Sequence, residues 1–518
     1  MPGPEVISSF CITEESMRGC VNMSKKVAII GAGIAGLSTG CYARMNGYEA
    51  EIYEMHNTPG GLCTAWNRKG YTFDGCLHWL MGTRPGTDFY KYWNEIGALE
   101  GLSFIQQDMQ IQMEDRTGKK ITLYADIDKL EKQLLEAAPE DEDTIRELTG
   151  AVRKFMKMEM PLDKPQDMFG FIDVVKMLVK MGPMLKDLGK INKISIGQFV
   201  DRLKNPFLKE ALPGIMSRDY TLMVFVMVLA TYANKDAGWP MGGSLEFARG
   251  IEKSFLKLGG KINYNAKVEK ILVEDNKAVG IQLSDGSRHP ADYVVSAADG
   301  HSTIFKMLDG RYIDDNIKAL YKETPLSPTS VQVSLGVACD LSKEPSTLGI
   351  KLDKPFSVGG IENSYFIFKH YCYDPSMSPA GKSSVTAILN SDYRYWEKLY
   401  KEDKDAYNAQ KKIIADEFIR VFEERVPYAK GKIEAVDVAT PYTYTRYTGT
   451  WKGVYMSWLT TPENPRLKVP GKLPDLKNFY LAGQWAYSSG GVPVGVITGR
   501  WSIMRLCKDD GKKFISKS

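Results

Sequence analysis

The sequence predicts an α/β chain: a Rossmann-like domain assembled from separated stretches, a mixed α+β domain, and a helical insert. Three observations predict it. Val27-Ala-Ile-Ile-Gly31-Ala-Gly33-Ile-Ala35-Gly36 reads as a short buried strand, a glycine turn and a helix start. Glu54 stands eighteen residues past Gly36 and closes a second strand pattern. Near the other end, Phe479-Tyr-Leu-Ala-Gly483-Gln484-Trp485 and Gly490-Gly491-Val492-Pro493 repeat the logic of strand, glycine turn and helix.

Bulk properties narrow the function classes. A chain of 518 residues, 43% hydrophobic and 25% charged, has a globular composition with room for two or three domains. A net charge of +4 without an arginine-rich tract argues against a nucleic-acid partner. Eight cysteines form no C-x-x-C pair and five histidines are scattered, so no metal is expected. The thiols read as reduced, in a cytoplasmic protein. Residues 1–23 lack the apolar core of a secretory signal and are expected to form a disordered extension. No apolar run reaches the ~18 residues of a membrane span. The nearest, 220–233, reads as a buried helix.

Residues 24–86 form the first part of the Rossmann-like domain. Gly31 permits the sharp turn, Gly33 lets a pyrophosphate approach the backbone, and Gly36 lets the helix pack close. The helix N-terminus offers free N–H groups and a positive dipole end to phosphates. Glu54 can accept hydrogen bonds from ribose hydroxyls. Gly60-Gly61 lets the chain pass close to a bound cofactor. Tyr71-Thr-Phe-Asp74-Gly-Cys-Leu-His78-Trp79 alternates like a strand leading into a site.

Residues 87–235 read as helical, rich in Met, Leu and Lys. Within them 171–186 spaces apolar residues on one helix face and lysines on another, with a kink or break expected at Pro183. That stretch reads either as a core-facing helix or as a surface helix that touches lipid or lines a tunnel mouth. Residues 236–310 return to the first domain. Gly242-Gly243 opens a helix, a hairpin turns at Asp275-Asn276-Lys277 between strands near 268–274 and 278–284, and 291–298 is a buried strand. Residues 311–469 carry many aromatics, a helix at 404–426 and a second sheet. Residues 470–518 complete the first domain and end in a helix.

Taken together, Gly31-Ala-Gly33-Ile-Ala35-Gly36, Glu54, Gly60-Gly61, Tyr71-Thr-Phe-Asp74, Leu77-His78-Trp79, Gly242-Gly243 with Arg249, Val268, Leu481-Ala-Gly-Gln-Trp485 and Gly491-Val-Pro493 carry a resemblance. They resemble the flavin-dependent phytoene desaturase family, which includes carotenoid isomerases and retinol saturases and is related to the amine oxidases. The resemblance spans residues 27–500. It implies FAD, with Gly31, Gly33 and Gly36 at the pyrophosphate, Ala35 in the same turn, and Gly60 and Gly61 alongside. It places Glu54 at the adenosine ribose, the Val268 backbone at the adenine, and Gly483, Gln484 and Val492 at the ribityl chain and flavin ring. Many relatives carry an acid where this chain has Gln484; an amide still bonds a ribityl hydroxyl. The residues themselves also favour FAD over NAD, because a simple NAD enzyme needs no second glycine signature some 450 residues after the first.

The expected activity is hydride transfer between the flavin and an apolar unsaturated substrate: a polyene, carotenoid, retinoid or related lipid. Desaturation, saturation and isomerisation remain open, as do the electron partner and the oligomeric state. No paired-carboxylate or Ser-His-Asp constellation stands out, as fits chemistry carried by the cofactor. His78 and Trp79 are the candidates nearest the flavin ring, whereas Asp74 and Arg249 read as structural. Two alternatives stand beside this. One is an amine or amino-acid oxidase, with Trp485 and Tyr487 flanking the flavin. The other is a flavin-free lipid-binding protein similar to guanine-nucleotide dissociation inhibitors. Peripheral attachment to a membrane surface is the candidate partner interaction.

Overall fold

The computed structural model describes residues 24–517 apart from 159–161, 183–184, 214–215, 465–466, 468 and 489. The expected N-terminal extension and the kink at Pro183 lie outside the described residues.

Lys26–Ile30 is buried over four of its five residues and becomes the centre of a five-stranded sheet. Its neighbours are Glu49–Tyr53 on one side and Tyr293–Ser296 on the other; Lys261–Asn263 and Phe479–Leu481 form the edges. Every pairing is parallel, with Val27 opposite both Ala50 and Tyr293. Such sheets are covered on both faces and open their ligand crevice at the carboxyl ends of the strands, where strand order reverses. Three distant stretches of chain supply these five strands. Two helices cover one face together. Ile34–Met45 and Val492–Asp509 approach so closely that a Cβ on Gly499 would lie 2.9 Å from Ala35 O.

Beside this sheet lies a three-stranded antiparallel one: Val268–Glu274, Lys277–Leu283 and Arg288–Pro290. Its first turn has Asp275 and Asn276 in the left-handed region, the geometry a two-residue hairpin requires.

The second large sheet has seven strands, in the order Ile433–Ala439, Thr329–Val337, Ser383–Ser391, Ile361–His370, Thr347–Val358, Met109–Glu114, Lys120–Tyr124. The last two correct an expectation, because residues 87–235 read as helical from sequence alone. Met109–Glu114 pairs in parallel with Thr347–Val358, with Gln112 opposite Leu348. Partners more than 200 residues away thus override the local reading. One face of this sheet packs on helix Lys404–Arg425, with Phe366 against Phe418 and Phe368 against Phe422. The other face looks towards a helical layer that includes Leu222–Ala233, whose Phe225, Val226 and Leu229 are buried as the sequence suggested.

Candidate functional site

A cavity of about 3980 Å³ runs from the carboxyl ends of the parallel strands to the inner face of the seven-stranded sheet. Ordinary small-molecule sites measure roughly 300–1,000 Å³, so this one has room for a cofactor and a substrate together. Gly31, Gly33, Ala35, Glu54, Gly60, Gly61, Val268, Gly483, Gln484 and Val492 all line it, as do His78 and Trp79. Residues more than 450 positions apart thus share one wall. The C-terminal signature lies directly on the first glycine turn, for a Cβ on Gly483 would sit 3.5 Å from Ala35 Cβ.

Gly36 is the exception among the candidates. A Cβ there would lie 1.8 Å from Gly31 O, so its missing side chain seats the helix on the turn and does not face the cavity. Gly31 has φ +93°, a backbone state that favours glycine. Gly33 differs from both. Its φ is ordinary and a Cβ would meet only Gly60 O, at 3.8 Å. The space beside Gly33 is therefore open cleft.

The cleft suits an anionic dinucleotide. Helices Ile34–Met45 and Val492–Asp509 both begin at a glycine, with no side-chain cap and no acidic residue in the first turn. Their free N–H groups and positive dipole ends are left for a ligand. The Glu54 carboxylate is buried and accepts from Ala32 N (2.7 Å) and His56 N (2.8 Å), one bond on each oxygen. Each oxygen keeps a lone pair that a hydroxyl can use. Trp485, also in the cavity wall, is 3% exposed, and its Nε1 has no partner among the described residues. These features fit FAD.

Asp74 holds the turn that leads to His78. It accepts from Ser244 N and Oγ (both 2.7 Å), Cys76 N (2.9 Å) and Leu77 N (3.0 Å). Burial raises its pKa, and the Ser244 and Cys76 bonds work against that rise. The His78 ring is exposed, but to the cavity interior, with protein around it. That enclosure first, then the Lys369 ammonium, hold its imidazole neutral, at about 3. Trp79 packs edge-on against Tyr232 at 5.5 Å. Arg249 pairs with Glu246 at the surface. Trp485 belongs to an aromatic cluster, 5.0 Å from Trp458 and stacked on Tyr321, while Tyr487 packs on Trp501. Those two rings pack against different partners.

The sequence reading missed Lys369. It is 4% exposed, lines the cavity and donates from Nζ to His78 O. Burial lowers its pKa to about 7, against the opposing pull of Asp74. The signal was present in Ile361-Glu-Asn-Ser-Tyr-Phe-Ile-Phe-Lys369, where strand alternation puts Lys369 on the face of Tyr365 and Ile367.

Comparison with known proteins agrees with this geometry. The family described as flavin containing amine oxidoreductase matches residues 34–501. Prolycopene isomerase 2 of an Oncidium hybrid cultivar is 24% identical over 502 residues, covering 93% of this chain and 84% of the relative. The lycopene-forming phytoene desaturase of Pseudescherichia vulneris is 24% identical, over 94% of this chain and 99% of its own. Among solved structures, an oxidoreductase from Methanosarcina mazei superposes with a TM-score of 0.57 at 19% identity, covering 93% and 100% of the two chains. Cyclohexylamine oxidase from Brevibacterium oxydans gives 0.59 at 12%, covering 94% and 100%. These structural likenesses speak for the fold. The family match sets aside the flavin-free alternative. The chain belongs to the flavin containing amine oxidoreductase family and is an FAD-dependent oxidoreductase.

Proposed function

We propose that this oxidoreductase moves a hydride to or from a carbon beside a double bond in an apolar, unsaturated lipid, taken up at a membrane surface. One observation carries the reading. Beyond the cofactor cleft the cavity wall includes an apolar stretch of Met223, Val224, Met227 and Val228 of helix Leu222–Ala233, with Val174, Met177 and Leu178 of helix Phe171–Met181. Flexible methionine and branched aliphatic side chains suit a long hydrocarbon better than a small amine. The names of the relatives, prolycopene isomerase and phytoene desaturase, point the same way.

Each residue has a task. FAD, when bound, supplies the hydride-accepting or hydride-donating centre. Gly33 and the first-helix N–H groups hold its pyrophosphate, Gly31, Ala35, Gly60 and Gly61 shape that turn, and Glu54 takes a ribose hydroxyl. The Val268 backbone meets the adenine; Gly483, Gln484 and Val492 meet the ribityl chain and ring. His78, neutral and facing the cavity, and Trp79 border the substrate without adding charge. We assign 24–86, 236–310 and 470–518 to the cofactor unit, and 87–235 and 311–469 to the substrate unit.

The membrane part rests on helix Phe171–Met181. Its Val174, Met177 and Leu178 line the cavity, while Phe171 (84% exposed), Ile172 (68%) and Val179 (72%) face outward. A helix apolar on both sides, with Lys176, Lys190 and Lys193 exposed nearby, suits the headgroup level of a bilayer. Among the described residues no helix is long and apolar enough to cross a membrane.

The test is anaerobic mixing of the oxidised holoprotein with polyenes, unsaturated fatty acids and amines in turn. Loss of flavin absorbance with a lipid supports the reading. Bleaching by an amine and by no lipid would replace it with the oxidase. A silent screen is repeated with reduced flavin and product analysis, which detects saturation and isomerisation.

A further inference from the structure

Lys369 sits where an unpaired charge is costly. Its Nζ lies 5.0 Å from the ring centroid of Trp239, 5.5 Å from Tyr371 and 5.9 Å from Tyr373. One N–H goes to His78 O. It forms no ion pair among the described residues. Asp74 faces it without forming an ion pair; its Oδ1 is taken by Ser244 Oγ, Cys76 N and Leu77 N, and its Oδ2 accepts from Ser244 N. Asp374, behind Trp239, is held by Trp239 Nε1 and Gly242 N. Buried charges are normally paired, and aromatic faces compensate only in part. Here a buried cation with no ion pair among the described residues borders the cavity, leaving room for a partner group from outside the chain.

The same strand provides a track leading away from it. Asn363, Tyr365 and Ile367 share the face of Lys369 and line the cavity. From Lys369 to Ile361 is eight residues, about 26 Å at the usual strand rise.

We propose that Lys369 anchors a carboxylate at the head of an elongated apolar substrate, a long-chain unsaturated acid whose tail lies along this strand face. This rests on the lipid reading of the cavity and narrows it. A carboxylate at Nζ gives a charge-assisted bond in a low-dielectric wall, where such bonds are strongest. It also explains why the cation carries no internal carboxylate, since an internal partner would compete with the ligand. The groups facing Lys369 are Asp74, His78, Tyr371 and Tyr373. His78 stays neutral, and burial pushes both tyrosines up. Above about pH 7 the free protein loses the Lys369 charge, so the anchor weakens as pH rises.

The experiment compares oleate with methyl oleate on the flavin-loaded protein, read by perturbation of flavin absorbance and by tryptophan fluorescence. The acid should bind at least about tenfold more tightly than the ester near pH 6, with the difference shrinking near pH 9. Lys369→Met should bring acid binding down to the level of ester binding in the same variant; Lys369→Arg should retain part of the preference. Equal binding of acid and ester by the unmodified protein overturns the anchor, and that comparison needs no variant to fold. A preference that survives in Lys369→Met also overturns it. Either result, with the ester still bleaching or perturbing the flavin, leaves the lipid reading standing. Bleaching by amines with no response to acid or ester removes both.

Discussion

Asp74 shows how much one carboxylate can hold. It is 3% exposed and gathers the backbone of Cys76, Leu77 and Ser244 together with the Ser244 hydroxyl. Removing it leaves buried donors without acceptors, so Asp74→Ala should destabilise the fold by about 2–4 kcal/mol in urea titration. Asp74→Asn should not restore it, because an amide NH₂ would face N–H groups. The sequence reads Asp74 as structural, and its hydrogen bonds agree with that reading. Lys369 was not singled out. Its burial and its contact with His78 come from pairing across a sheet, which no local window contains.

At the scale of elements, strand Met109–Glu114 and helix Lys404–Arg425 are tied through Glu114 and Arg425, with Oε2 2.6 Å from Nε and Oε1 3.0 Å from Nη2. Burial alone would raise the Glu114 pKa, but Arg425 and Lys120 outweigh it and hold the carboxyl at about 2, below its usual 4.5. A depressed carboxyl stabilises the fold above its unfolded value and stops doing so as it protonates. The pair's contribution should therefore fade between about pH 4.5 and about pH 2. Glu114→Gln should lower the urea midpoint at neutral pH and flatten its slope across that acid window. The hairpin that carries Glu114 falls in a stretch the sequence assigns to helix, although Met109-Gln-Ile-Gln-Met113 alternates and Asp115-Arg-Thr-Gly118 is a turn. For helix Phe171–Met181 the sequence leaves open whether it faces the core or the surface, and its outer face is exposed. Ile172→Glu with Val179→Glu should keep flavin content and lose co-sedimentation with anionic vesicles at low salt. Unchanged pelleting, or no pelleting by the unmodified protein, would rule out lipid contact at this helix.

At the scale of the molecule, the parallel sheet draws its five strands from residues near 26–53, 261–296 and 479–481. A fragment of residues 24–235 holds two of the five. It should neither retain flavin nor unfold cooperatively, as gel filtration and circular dichroism melting would show. The glycine turns were legible because each is local in sequence. Their convergence was legible because both end in the same strand–turn–helix logic. The seven-stranded floor was legible only as an aromatic-rich region with strands, because its register depends on pairings such as Ser334 with Asp437. FAD binding depends on one cleft formed by two distant glycine signatures. Flavin content measures that directly, in the unmodified protein and in Gly33→Val. The unmodified protein should be yellow and release one FAD per chain on denaturation. Gly33→Val should melt within a few degrees of it, since a Cβ there meets only Gly60 O at 3.8 Å, yet be colourless because the side chain fills the pyrophosphate's space. A folded, colourless unmodified protein that FAD cannot reconstitute would contradict the account, as would a Gly33→Val variant with full flavin content.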